Sequence, residues 1–166
     1  MVRLALVLGV LAVAAYTATA GDDPPPAGRK SAGQVVRVVD GDTIHVRVDG
    51  RREKVRYIGV DTPESVKPGT PVQCFAKRAS ALNARLVEGE QVRLVLDAEE
   101  RDRYGRVLAY VYRARDGLFV NATLVRRGYA VALTIPPNVA HAGEFRRLAA
   151  TARRQGRGLW SSCGSS

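Results

Sequence analysis

The stretch VVDGDTIHV, Val38–Val46, decides how the fold is read. An Asp-Gly pair sits between two runs of β-prone residues, which is a strong short-range turn signal. Glycine takes φ > 0 at no steric cost, so a turn accounts for Asp40 and Gly41. It does not require Asp42. That second carboxylate, two positions after the first, is the first sign that the loop carries chemistry.

Downstream, TIHVRV (Thr43–Val48) alternates, with Ile44, Val46 and Val48 on one face and Thr43, His45 and Arg47 on the other. Upstream, Val35, Val36, Val38 and Val39 make another β-prone run. A second Asp-Gly pair, Asp49-Gly50, turns the chain into EKVRYIGV (Glu53–Val60), so the first third reads as a three-stranded meander. Val92–Asp97 and Arg106–Tyr112 read as two further strands. Apolar residues at helical spacing follow Phe75 (Ala79, Leu82, Leu86) and stop before Gly89. A short helix at Val120, Leu124 and Val125 stops at Gly128, and a last one at Phe145, Leu148, Ala149 and Ala152 ends near Gly156. Five short strands interrupted by three helices predict an α+β chain, mainly β, built as a small five-stranded barrel of the OB type.

The chain has 166 residues, enough for one domain with one core. Arg3, the apolar run Leu4–Ala15 and the small-residue pattern Ala18–Ala20 read as a signal peptide, residues 1–20, removed before Gly21. Residues 21–33, with three consecutive prolines, read as a linker. The domain is expected over 34–163, with 164–166 as a tail. The formal charge of +10 calls for an anionic partner, nucleic acid first. Only four of the basic residues are lysine, and arginine's rigid fork suits phosphate. Cys74 and Cys163 are the only cysteines, an even number that suggests a disulfide in an exported protein. Neither has a second Cys or His at zinc-ligand spacing.

Chemistry concentrates in RYIGVDTPE (Arg56–Glu64) and RDRYGRVLAYVY (Arg101–Tyr112). Pro63 keeps Thr62 out of the helical region, which leaves its carbonyl available as a ligand. With Asp42 and Asp61, that carbonyl makes a hard oxygen site that suits Ca²⁺ better than Zn²⁺, since no His or Cys is offered. Arg56 lies within a strand and Arg106 opens one, so each needs an anion: a substrate phosphate, or an ion pair with Asp42, Asp61 or Glu64. Asp61 and Glu64 have a plainer reading too, as capping residues of a turn. His45 and His141 read as ordinary surface histidines, and Trp160 as an anchor for the chain end. Tyr110 and Tyr112, alternating on one strand face, read as packing or rim, and the Arg pairs at 126/127, 146/147 and 153/154 as solvated helix faces.

VVDGDT, RYIGVDTPE and DRYGRVLAYVY, in this order and spacing, resemble the staphylococcal nuclease (thermonuclease) family. FVNATLVRRGYA and GRGLW extend the resemblance over about Gln34–Cys163. The resemblance implies calcium bound by Asp42, Asp61 and the Thr62 carbonyl, with Asp40 behind them. It implies that Glu64 orients and deprotonates the attacking water, that Arg56 and Arg106 hold the phosphate, and that Arg103 and Tyr104 contact a neighbouring one. The implied reaction is hydrolysis of phosphodiester bonds in DNA and RNA, leaving 3′-phosphates. Where the best-known member has two base-stacking tyrosines ahead of a Pro-Asn pair, VALTIPPN offers Leu133 and Ile135, so weaker base stacking is expected. The expected protein is an exported monomer with no stable protein partner and no membrane span after signal cleavage. The competing reading is a noncatalytic nucleic-acid-binding OB module; a third is an envelope domain that uses its charge on anionic polymers.

Overall fold

The computed structural model describes residues 30–64, 69 and 71–163. The signal peptide, most of the linker and the tail expected from the sequence lie outside the described residues. Five strands close a barrel in the order β1 (Lys30–Val38), β2 (Thr43–Val48), β3 (Arg51–Tyr57), β6 (Val107–Arg113) and β5 (Gln91–Val95). Only the β3–β6 pairing is parallel. The alternation read from TIHVRV is kept: Ile44 and Val46 are fully buried, as are Val55, Leu94, Ala109 and Val111 from neighbouring strands. The helices are α1 (Ala76–Val87), α2 (Val120–Arg126) and α3 (Ala142–Arg154), followed by one last turn, α4 (Leu159–Ser162). Among the described residues, no helix is long and apolar enough to cross a membrane.

Three departures from the sequence reading shape the site. First, β1 begins at Lys30, so Lys30–Gly33, assigned to the linker, are strand; β5 offers them a register from Lys30↔Val95 to Gly33↔Val92. The same strand holds an irregularity between Val35, opposite Val46, and Arg37, opposite His45, which leaves Val36 as an extra residue. That explains the non-alternating valine run. Second, EKVRYIGV is not one strand. β3 ends at Tyr57, the chain bends through Ile58-Gly59, and Val60–Asp61 form β4, paired with β7 (Val131–Ala132). The bend is held by Ile58 N donating to the Ala109 carbonyl and Leu133 N to that of Gly59.

Third, the two Asp-Gly pairs differ. Asp49 and Gly50 both take positive φ, 48° and 78°, the two-residue hairpin turn that matches strand twist. Gly41 does not take positive φ. It is required for a different reason: a Cβ there would lie 2.6 Å from Thr62 Oγ1. The opening loop is shaped by close contact with the VDTPE segment and not by backbone freedom.

Candidate active site

That contact brings the two motifs together. Asp42 is 5% exposed. Its Oδ2 accepts from the Thr62 backbone N–H at 2.8 Å and from Thr62 Oγ1 at 2.9 Å. Its Oδ1 accepts from Thr43 Oγ1 and meets Arg56 Nε at 3.1 Å. Asp40 Oδ1 in turn accepts from the Asp42 N–H. Buried Asn83 of α1 ties the loop to the barrel, donating to the Asp40 carbonyl and accepting from Tyr57 Oη.

Arg56 sits between the motifs. One Nη donates to the Tyr57 and Val60 carbonyls at 2.7 Å each, and the other to Asp61 Oδ1 at 2.9 Å. The bend at Ile58-Gly59 makes this possible, because it folds β4 back beside the end of β3. Both ion pairs foreseen for Arg56 with Asp42 and Asp61 are therefore present. Arg106 is held differently. Its Nε donates to Asp102 Oδ2 at 2.6 Å and its backbone N–H to Asp102 Oδ1. Among the described residues its two Nη groups have no hydrogen-bond or ion-pair partner. Asp102 was missed by the sequence reading; the pair is made by a tight turn, in which the Gly105 N–H donates to the Asp102 carbonyl at 2.9 Å and the Asp102 N–H to that of Arg106 at 3.0 Å. Burial disfavours its charge, but the bonds from Arg106 and from the Arg106 and Tyr104 N–H groups outweigh that and hold its carboxyl below the usual range.

Asp40, Asp42, Thr43, Arg56, Asp61, Thr62, Pro63, Glu64 and Arg106 line one concavity of about 220 Å³. Every residue expected to bind metal or act on the scissile phosphate is among them. A second concavity of about 460 Å³ shares Arg56 and Arg106 and adds Arg103, Tyr104, Leu108, Leu133 and Ile135. Arg103 donates to Tyr104 Oη at 2.6 Å and lies over its ring, with Arg106 on the same ring at 5.6 Å. Leu133 and Ile135 thus line the same concavity as Tyr104, which is 68% exposed.

Glu64 is positioned through its backbone. Its N–H donates to Gln73 Oε1 at 2.7 Å, and its carbonyl accepts from the Gln73 N–H at 3.0 Å. The next residue, Cys74, is disulfide-bonded to Cys163. Gln73 is a second residue the sequence reading missed, since a contact across nine positions of loop has no periodic signature.

The donor chemistry of the smaller concavity fits a hard cation: it offers carboxylates and hydroxyls, with no His or Cys in its lining. Negative charge is crowded there. Burial, then the charge of Asp42, raises Asp40 to about 6. Burial also raises Asp61, against the pull of Arg56. Among the described residues no three acidic, His or Cys side chains converge as a ready-made metal cluster. Asp42 and Asp61 instead share the Arg56 guanidinium.

The two histidines differ from the surface reading. His141 packs against Tyr110, Phe119 and Phe145 and meets Glu144 at 3.0 Å. His45 is half-buried, and among the described residues its Nδ1 has no hydrogen-bond partner. Trp160 is half-buried beneath Arg153.

A family model described as staphylococcal nuclease homologue matches residues 54–162. A thermonuclease of Staphylococcus hyicus is 42% identical over 128 residues, which cover 77% of this chain and 75% of that one. A thermonuclease of Staphylococcus intermedius is 51% identical over 104 residues, 63% of this chain and 61% of that one. Endonuclease YncB of Bacillus subtilis (strain 168) is 42% identical over 130 residues, 77% of this chain and 61% of that one. With the barrel, the paired motifs and these relatives in agreement, the chain belongs to the staphylococcal nuclease family.

Proposed function

We propose that the chain is an exported, calcium-dependent nuclease that hydrolyses DNA and RNA to products with 3′-phosphate ends. The observation that carries this reading is the convergence of Asp42, Asp61, Glu64, Arg56 and Arg106 on one concavity, from three separate stretches of sequence. A noncatalytic binding module has no need for that complete set. The leader read in residues 1–20 and the Cys74–Cys163 disulfide support export, since disulfides persist in oxidising compartments.

Asp42, Asp61 and the Thr62 carbonyl would hold the calcium ion, and Asp40 would hold the Asp42 loop in place. When bound, the ion would supply positive charge to a phosphate oxygen. Glu64 takes a proton from the attacking water. The resulting oxygen bonds to phosphorus, the bond from phosphorus to the 5′-oxygen breaks, and that oxygen takes a proton from solvent. Arg56 and the free Nη groups of Arg106 hold the equatorial oxygens as charge builds on them. Arg103 and Tyr104 hold a neighbouring phosphate. Matched DNA and RNA oligonucleotides test the substrate claim: both should be cut, and the products should carry phosphatase-sensitive 3′ ends. Products with 3′-hydroxyl ends would contradict it.

A further inference from the structure

The outer face of β1–β2–β3 carries charge that the fold leaves unanswered. Along β3, Arg52, Lys54 and Arg56 alternate with Glu53, Val55 and Tyr57, and Val55 and Tyr57 are buried in the barrel. Arg56 of the candidate active site therefore shares its strand face with two further cations. The register extends them sideways: Lys54 lies opposite His45, His45 opposite Arg37, and Arg52 opposite Arg47. Arg37, Arg47, Arg52 and Lys54 are exposed, and among the described residues none has an ion-pair or hydrogen-bond partner for its side chain. Glu53, the one carboxylate on these three strands, faces the other way, opposite buried Val46, and pairs with Arg101.

Like charges directly opposite across a ladder are destabilising, so folding alone gains nothing from this row. Its field is visible at His45: burial, then Arg52, Lys54 and Arg37, lower the basicity of the imidazole. Alternate residues on a strand lie about 6.6 Å apart, so Arg56 to Arg52 spans about 13 Å. A stacked nucleic-acid strand places a phosphate every ~3.4 Å of its axis, so that length meets about four phosphates.

We propose that this face is a track for the nucleic-acid strand that continues beyond the scissile phosphate, with Arg37, Arg47, Arg52 and Lys54 contacting its backbone. The proposal rests on the nuclease reading for the strand's entry at Arg56. Charge complementarity and continuity with that arginine single out nucleic acid as the occupant.

The test is the triple variant Arg47→Ser/Arg52→Ser/Lys54→Ser, with Arg52→Ser alone beside it. Two quantities are read: kcat/KM on long single-stranded DNA and on a dinucleotide, and binding of the long strand in chelator at several salt concentrations. Each lost contact should lower the log–log salt slope by about 0.7, so the triple variant loses about 2 and the single about 0.7. Between about 50 and 200 mM salt, the parent's loss of affinity should then exceed the triple variant's by roughly 18-fold. On the polymer, KM should rise with kcat unchanged, and the dinucleotide kcat/KM should hold. An unchanged salt slope in the triple variant, or an equal loss on the dinucleotide, would overturn the track. A parent that cuts neither substrate would remove the nuclease reading alone, because the binding slope is read without cleavage and still decides for or against the track.

Discussion

Replacing Gly41 with alanine asks whether the DGD loop is held by contact with Thr62. The new Cβ would lie 2.6 Å from Thr62 Oγ1, 2.7 Å from its Cβ and 2.8 Å from its Cγ2, where ordinary contact starts at 3.4 Å. Thr62 must therefore retreat by about 0.8 Å, the difference between 3.4 and 2.6 Å. It is not free to do so, because its N–H and hydroxyl both donate to Asp42 Oδ2. Overpacking of this kind costs about 1–3 kcal/mol, and losing a hydrogen bond to a charged acceptor about 1.5–3 kcal/mol. The chain can choose the cheaper route, so a net loss of about 2–3 kcal/mol is expected. For a domain of this size, that lowers Tm by about 5–10 °C. Cleavage should suffer more, since a ~1 Å misplacement in a site can cost ~100-fold, and Thr62 lies two residues from Glu64. Gly50→Ala is the control. Nothing lies within 4 Å of its Cβ, but its φ is +78°. It should lose about 1–2 kcal/mol of stability and keep its cleavage rate. Thermal melting and initial rates on single-stranded DNA read both variants. Full activity and a parental Tm in Gly41→Ala would refute the contact argument, as would a profile matching that of Gly50→Ala.

Two further outcomes are expected. The Cys74–Cys163 bridge closes a separation of 89 residues, worth about 4–5 kcal/mol on the chain-entropy model. Strong reductant should therefore lower Tm, and it should slow cleavage as well, because Gln73 beside Cys74 holds Glu64; a melting curve indifferent to reductant would count against this. Asp40, raised to about 6 by burial and then by Asp42, favours the folded state most below its unfolded value of 3.8, and that advantage is lost as pH rises through about 6. In chelator, Asp40→Asn should therefore stabilise the chain at about pH 7.5 by up to roughly 3 kcal/mol, and by less at about pH 5. Melting scans at the two pH values check this, and equal shifts at both would contradict it.

Much of this was legible in the sequence, for identifiable reasons. The alternation of Ile44, Val46 and Val48 is local, and it carried the barrel. The arginines and carboxylates of the site sit in short motifs whose residue types declare their chemistry, and the structure brings them to one concavity. What was not legible depends on partners far along the chain. Lys30–Gly33 become strand only because β5 supplies a register. The break at Ile58-Gly59 is set by bonds to Ala109 and Leu133. Gly41 announced a turn, but its real constraint is a side chain 21 positions away. Asn83 and Gln73 look like ordinary polar residues until folding places them against Asp40 and Glu64.

The most direct test is cleavage of single-stranded DNA by the chain lacking residues 1–20, in calcium and in excess chelator, with Glu64→Gln and Arg106→Ala alongside. The nuclease reading predicts cleavage that requires calcium and falls by about 100-fold or more in each variant. Binding without cleavage in calcium, or cleavage undiminished by either substitution, would contradict it.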